Sequence, residues 1–368
     1  MADVIGRERG QMLLIASLIV ATSFVGLALV VNGAIYTENL STRETSGEAE
    51  RVAENRQLAA DDLQELIDRS NAAVIEDNFS AVENGYNDDL AVWSDSLERQ
   101  YQRTGRFVEY RPNGTVEGTH IQQTNASRNF TAGGSDAGKE DWTLVDDTTR
   151  AGEFEMVMHR SSLLDVTVTS NLSIIRDDAF NVLIENETGS QWRIYFFRDP
   201  LGNGYLMTEG PNGFNVTLTL SATDIASLDS NAYCPSSDTD VSIDVVNATF
   251  GGERCPQLGF YTDDVTGTSH NISYRNTKTD GIENPVYDPS NGVVGVPEYL
   301  VSPDDRVTGT YNLTVNKNAT RTPYYAPTSG DDPNAKAVIY EASVDAEFRS
   351  ESVVYRNENL RARWSEVT

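Results

Sequence analysis

Three patterns of apolar and polar positions follow one another along the chain. Met12–Val31 (MLLIASLIVATSFVGLALVV) is a run of twenty residues without a charge. As a helix it is about 30 Å long, the hydrocarbon thickness of a bilayer. The second pattern has a helical period. Val52, Ala59, Leu63, Leu66 and Ile67 fall mostly three or four residues apart, and Phe79, Val82, Tyr86, Leu90, Trp93, Leu97 and Tyr101 do so throughout. Such stripes predict two amphipathic helices, with a break at residues 71–78. The second stripe packs either on the chain's own structure or on a neighbouring subunit. Residues 32–47 are a polar connector, helical or not.

From Gly105 the period falls to two. Phe107–Tyr110 and Thr115–Glu117 flank Asn113-Gly114, which predicts a hairpin. Further strands are expected at Phe154–His159, Leu163–Ile175, Asn181–Glu185, Gln191–Phe197, Tyr205–Thr208, Phe214–Leu220, Val241–Phe250, Ile272–Arg275, Val307–Val315, Ala337–Phe348 and Ser352–Tyr355. Clusters of Gly, Pro, Asn and Asp separate them, and residues 276–305 and 321–336 read as long loops. Many short strands joined by such turns indicate an antiparallel sandwich. The expected fold is therefore α+β: an N-terminal transmembrane helix and amphipathic helices, followed by a mainly antiparallel β-sandwich head. The divisions are 1–37 for the signal-like segment and span, 38–104 for a helical stalk and 105–368 for the head.

Charge sets the orientation. Arg7 and Arg9 precede the apolar run, and the first charge after it is Glu38. Basic residues stay on the cytoplasmic side, so a single-pass chain with a cytoplasmic N-terminus and an extracellular bulk is expected. A cleaved secretory signal is the alternative, although its apolar region usually spans only about 7–15 residues. Over the whole chain, 56 Asp and Glu face 28 Lys and Arg, for a net charge of −28. Only four of the basic residues are lysines. This acid excess with scarce lysine resembles the proteins of extreme halophiles. In molar salt the screening length is about 3 Å, which removes most of the self-repulsion. Scattered arginines on so acidic a chain argue against a nucleic-acid partner, whose phosphates need a basic stripe.

The junction Arg7-Glu8-Arg9-Gly10-Gln11, followed at once by the apolar run, resembles the class III signal of archaeal type IV pilin-like and pseudopilin-like proteins. The resemblance covers about the first 35 residues. It implies that a prepilin peptidase cuts between Gly10 and Gln11 and leaves the apolar helix on the mature protein. It also implies that other pilin-like subunits or envelope proteins are partners. Many members carry Glu at the fifth mature position, where this chain has Ile15. An uncleaved signal anchor is the other reading of the same residues.

Twelve Asn-x-Ser/Thr triplets all follow the apolar run, at Asn39, Asn78, Asn113, Asn125, Asn129, Asn171, Asn186, Asn215, Asn247, Asn271, Asn312 and Asn318. That number is well above chance, and each triplet is an acceptor motif for N-glycosylation. The candidates are Asn78, Asn113, Asn171, Asn215, Asn247, Asn271 and Asn312. Asn171, Asn215 and Asn312 fall in alternating segments, where acceptor and hydroxyl share the solvated face of a strand.

Cys234 and Cys255 are the only cysteines. Outside the cell two such cysteines most simply pair. Catalytic signals are sparse: His120, His159 and His270 lie in no known motif, and no nucleophile elbow, zinc helix or phosphate loop occurs. No cofactor or metal is expected. These residues predict a non-catalytic, pilin-like structural subunit of a filament, adhesion or secretion apparatus. The alternatives are a stand-alone surface or envelope binding protein and, behind it, an anchored hydrolase.

Overall fold

A computed structural model describes residues 3–73, 78–165, 172–199, 201–213, 233–277, 307–318, 324–325, 332–351 and 353–364. Helix α1 (Asp3–Ala73) is continuous through the apolar run and the connector. Residues 32–47 contain no proline and several good helix formers, so nothing in them stops a helix. Helix α2 (Phe79–Gln102) starts at Asn78, whose carbonyl accepts from the amides of Ala81 and Val82. It ends at Gly105, whose φ of 72° lies in the left-handed region that glycine enters at no steric cost. Of the break expected at residues 71–78, residues 71–73 belong instead to α1, and 74–77 lie outside the described residues. The stripe residues Leu63, Leu66, Ile67, Val82, Tyr86 and Leu90 are buried within the chain itself.

The chain forms two compact units. One comprises Met1–Asp61, Ala91–Arg111 and Asp345–Leu360. In it the Tyr101 hydroxyl donates to Asn55 Oδ1 at 2.5 Å. Trp93 tilts against Tyr110 at 4.7 Å between ring centroids, and Tyr101 meets Phe348 edge-on.

The other unit comprises Asp62–Leu90, Pro112–Val344 and Arg361–Thr368 and carries most of the β-structure. The eight-stranded sheet contains β1 (Phe107–Gln123), β3 (Ala151–His159), β9 (Asp240–Asp244), β10 (Thr249–Phe250), β11 (Glu253–Arg254), β13 (Gly309–Val315), β14 (Asn334–Arg349) and β15 (Val354–Arg363). Its order is β11-β10-β9-β3-β13-β1-β14-β15. The seven-stranded sheet contains β2 (Trp142–Thr148), β4 (Leu164–Asp165), β5 (Asn181–Asn186), β6 (Gln191–Arg198), β7 (Gly204–Glu209), β8 (Cys234–Ser236) and β12 (His270–Arg275). It runs β2-β12-β5-β6-β7-β8, with β4 parallel to β6. The other registered pairs are antiparallel, so the two sheets make the expected α+β, sandwich-like fold.

One apolar core lies between the sheets. Phe154, Met156, Tyr311 and Leu313 from the first sheet join Val182, Ile194, Phe196 and Tyr274 from the second. Rings bridge the layers: Tyr274 meets Tyr311 at 5.2 Å, and Phe130 contacts both. Strand β6 is also buried on its other face through Tyr195 and Phe197, which explains its nearly unbroken apolar sequence.

Three expectations need correction. Asn113-Gly114 does not turn: it lies inside the 17-residue β1, and neither residue has a positive φ, which the two-residue hairpin turn requires. Pairing along the 16-residue β14 offers that segment a whole ladder, more than one hairpin supplies. The single strand expected over Val241–Phe250 is instead a tight hairpin, β9 into β10, with Ala248 at φ 55° in its turn. The strand expected over Leu163–Ile175 gives way to helix α3 (Leu172–Asp178). There Ile175 is fully buried and its carbonyl accepts from the Ala179 amide at 3.1 Å. The strand expected at Phe214–Leu220 lies outside the described residues.

Asn71, expected only as part of the interhelical break, has a tertiary role. Its Nδ2 donates to Ile339 O at 3.0 Å and its Oδ1 accepts from Ile339 N at 2.8 Å. The carboxamide thereby reproduces the two-bond pattern of a neighbouring strand on β14.

Candidate functional site

Two clusters of polar side chains are candidates for chemistry. The first is buried and spans three neighbouring strands. His120 on β1 is in register with Thr314 on β13, which is in register with Glu153 on β3. His120 Nδ1 lies 3.0 Å from Thr314 Oγ1, and that hydroxyl donates to Glu153 Oε2 at 3.1 Å. His120 Nε2 faces Gln122 Oε1 at 3.2 Å, and the Trp364 ring meets the imidazole edge-on at 4.8 Å. Burial, reinforced by the nearby Lys336 charge and opposed by the Gln122 contact, lowers the His120 pKa to about 3, so the ring is neutral. In this order the hydroxyl, and not the imidazole, is the central member. A general base must sit between its nucleophile and its orienting carboxylate. His120 and Thr314 are each only 1% exposed, so no substrate reaches them; the cluster holds three strands together. The alternation at β13 predicts Thr314 on a solvated face. Trp364, four residues from the C-terminus of the sequence, is what closes over this face, and its sequence position carries no such signal.

The second is an open cleft of about 620 Å3 with Arg176, Arg193, Glu209, Gln191, Thr188 and Asp177 among its lining residues. Helix α3 supplies Arg176, which forks onto Glu209 at the end of β7, at 2.5 and 3.3 Å. Glu209 Oε2 also accepts the Tyr195 hydroxyl at 2.8 Å. Burial, then the bond to Glu209, raises the Tyr195 pKa well above its ordinary value. Glu209 is therefore engaged by donors on both carboxylate oxygens. Arg193 reaches Asn181 and Gln191 only at 3.4 Å. The cleft offers amide, hydroxyl and guanidinium contacts, which suit holding a polar group more than transforming one. Among the described residues no group of three or more His, Cys, Asp or Glu is placed to hold a metal ion.

The sequence-derived site residues fare individually. Cys234 and Cys255 form a disulfide. It joins β8, at one edge of the seven-stranded sheet, to the residue after β11, at one edge of the other sheet. The bond therefore ties one side of the sandwich together, a function that loop length alone does not reveal. Asn78, Asn113, Asn247 and Asn271 are exposed and Asn312 is half-buried. Asn312 lies opposite the buried Tyr311 and Leu313, as its alternation predicts. Asn171 and Asn215 lie outside the described residues, as does the side chain of Gln11, next to Gly10.

Among the described residues no helix is long and apolar enough to cross a membrane. The side chains of Met12–Ala16 and Ile19 are outside that set. In the described part of the run, Leu18, Phe24, Val25, Leu27, Leu29 and Val30 are 59–69% exposed.

No curated protein and no solved structure matches the chain. Residues 6–170, which take in the apolar run, both long helices and the first strands, are similar to a family of unknown function (DUF7261).

Proposed function

We propose that the chain is a non-catalytic, pilin-like subunit of the cell surface. Its apolar N-terminal helix lies in the membrane or in the core of an assembly, and its β-rich head stands outside. The observation that carries this reading is the apolar surface of α1 from Leu18 to Val31, which the rest of the chain leaves uncovered. Farther along the same helix Leu63, Leu66 and Ile67 are buried. Water does not favour so long an apolar surface on a helix, so lipid or neighbouring helices are its natural surroundings. The acidic surface and the disulfide support placement of the head outside, in salt. Partners are then the membrane, other pilin-like subunits or envelope proteins, and a prepilin peptidase acting between Gly10 and Gln11.

Mass spectrometry of the native N-terminus, with membrane fractionation, tests the reading. A mature chain that begins at Gln11 and stays with the membrane fraction is the expected result. Met1 or Ala2 at the terminus rejects processing and leaves an uncleaved anchor. A start near Ala34 with the protein released rejects the anchored subunit altogether. The cleft at Arg176 and Arg193 favours a second reading, a stand-alone surface protein that binds a polar ligand. A monomeric protein in native extracts supports that second reading.

A further inference from the structure

Asn186-Glu187-Thr188 is a glycosylation triplet at the tip of the β5–β6 hairpin. Its carboxamide is held within a closed turn; Asn125 shares one of the contacts, its Oδ1 accepting from Ser127 N at 3.0 Å. Asn186 Oδ1 accepts three donors: Thr188 N at 3.0 Å, Thr188 Oγ1 at 2.7 Å and Ser190 N at 2.9 Å. The backbone closes the same turn, with Asn186 N on Ser190 O and Gly189 N on Asn186 O. Gly189 takes φ 80°, which the tight turn needs. Among the described residues Asn186 Nδ2 has no hydrogen-bond partner, and Glu187, Thr188 and Gly189 are exposed.

This arrangement bears directly on glycosyl transfer. A carboxamide nitrogen is a poor nucleophile because its lone pair is delocalised onto oxygen. Three donors on Oδ1 draw density to the oxygen and make the Nδ2 protons more acidic. The motif hydroxyl is already aligned with the carboxamide. We propose that Asn186 is a preferred N-glycosylation site of this protein. In the transfer, Nδ2 attacks the anomeric carbon of a lipid-linked sugar phosphate. The C–N bond forms, the C–O bond to phosphate breaks, the phosphate leaves with the electron pair, and the Nδ2 proton passes to a carboxylate of the transferase.

Three other triplets are worse placed. Asn247 Nδ2 is spent on Asp244 Oδ2 at 2.6 Å. Asn271 and Asn312 lie inside β12 and β13, each flanked by strands on both sides; Asn271 Oδ1 also accepts the Asp147 amide. A transferase must grip the acceptor and its hydroxyl together. A hairpin tip opens by itself, whereas a central strand opens only with its sheet.

The inference rests on the head being outside the cell. Glycopeptide mapping of the native protein, with protease shaving of intact cells, tests both. Occupancy at Asn186 is expected to exceed that at Asn271 and Asn312 by about tenfold, the gap in local opening between a turn and a central strand. Thr188→Val is expected to abolish it, and Thr188→Ser to retain part of it. A chain shaved from intact cells yet bare at Asn186 overturns the site and leaves the outward head standing. A chain that resists shaving and is bare at every triplet overturns both.

Discussion

Replacing Asn71 tests how far the junction of α1 with β14 depends on one side chain. Asn71 is 1% exposed and serves both backbone groups of Ile339. In Asn71→Ala the Ile339 N–H and C=O lose their partners in a place that water does not reach. Each orphaned buried group costs about 1–3 kcal/mol, so the two together, partly relieved by local relaxation, cost about 2–4 kcal/mol. Asn71→Leu separates this from cavity formation. Leucine restores the volume and neither hydrogen bond, so it should lose about as much as alanine does. Asn71→Asp keeps the acceptor for Ile339 N–H but sets a buried carboxylate against the Ile339 carbonyl, and should fare no better. Urea denaturation of the purified chain in molar salt, followed by circular dichroism, measures these differences. If alanine and leucine variants both fall within about 0.5 kcal/mol of the natural chain, the carboxamide is not a structural bridge and the reasoning fails.

Three other outcomes follow from the same physics. The folded-state pKa of His120 is depressed to about 3, below the ordinary value near 6.5. The unfolded chain therefore takes up a proton that the folded chain refuses, and this contribution to stability is lost as pH falls from about 6.5 toward 3, by about 1.4 kcal/mol per unit. Glu153, 3.9 Å away, and Lys336 are charged groups near it. His120→Gln should flatten the acid limb of a stability–pH curve, and an unchanged limb contradicts the buried neutral ring. Removing the Cys234–Cys255 bond, whose ends are 21 residues apart, should cost about 3 kcal/mol in denaturant titrations of the Cys234→Ala/Cys255→Ala pair; full stability in that pair counts against a stapled sandwich edge. Diluting salt from molar toward about 0.1 M should lower the melting temperature as repulsion within a chain of charge −28 loses its screening, and a constant melting temperature assigns the acidity some other role.

Period and punctuation alone determine much of this protein. The apolar run, the two helical stripes, the break before Asn78 and most strands are local statements. Each depends on which residues can share a face and where glycine or asparagine stops an element. The disulfide is legible too, because two cysteines leave one intramolecular pairing. Wherever a local signal competes with a distant partner, the tertiary structure decides. Asn113-Gly114 is a strong turn signal, yet a long ladder beside β14 draws it into a strand. The alternation within Leu163–Ile175 predicts a strand, but in Leu172–Asp178 the burial of Ile175 and the pairing of Arg176 with Glu209 fit a helix. Thr314 reads as solvated, yet it is buried beside His120, against which Trp364, fifty residues away in sequence, packs edge-on. Asn186 looks like eleven other triplets until its hairpin directs three donors onto one oxygen. Hydrogen bonds and packing between segments distant in the chain carry no local period, and so these features emerge only when the sheets have formed.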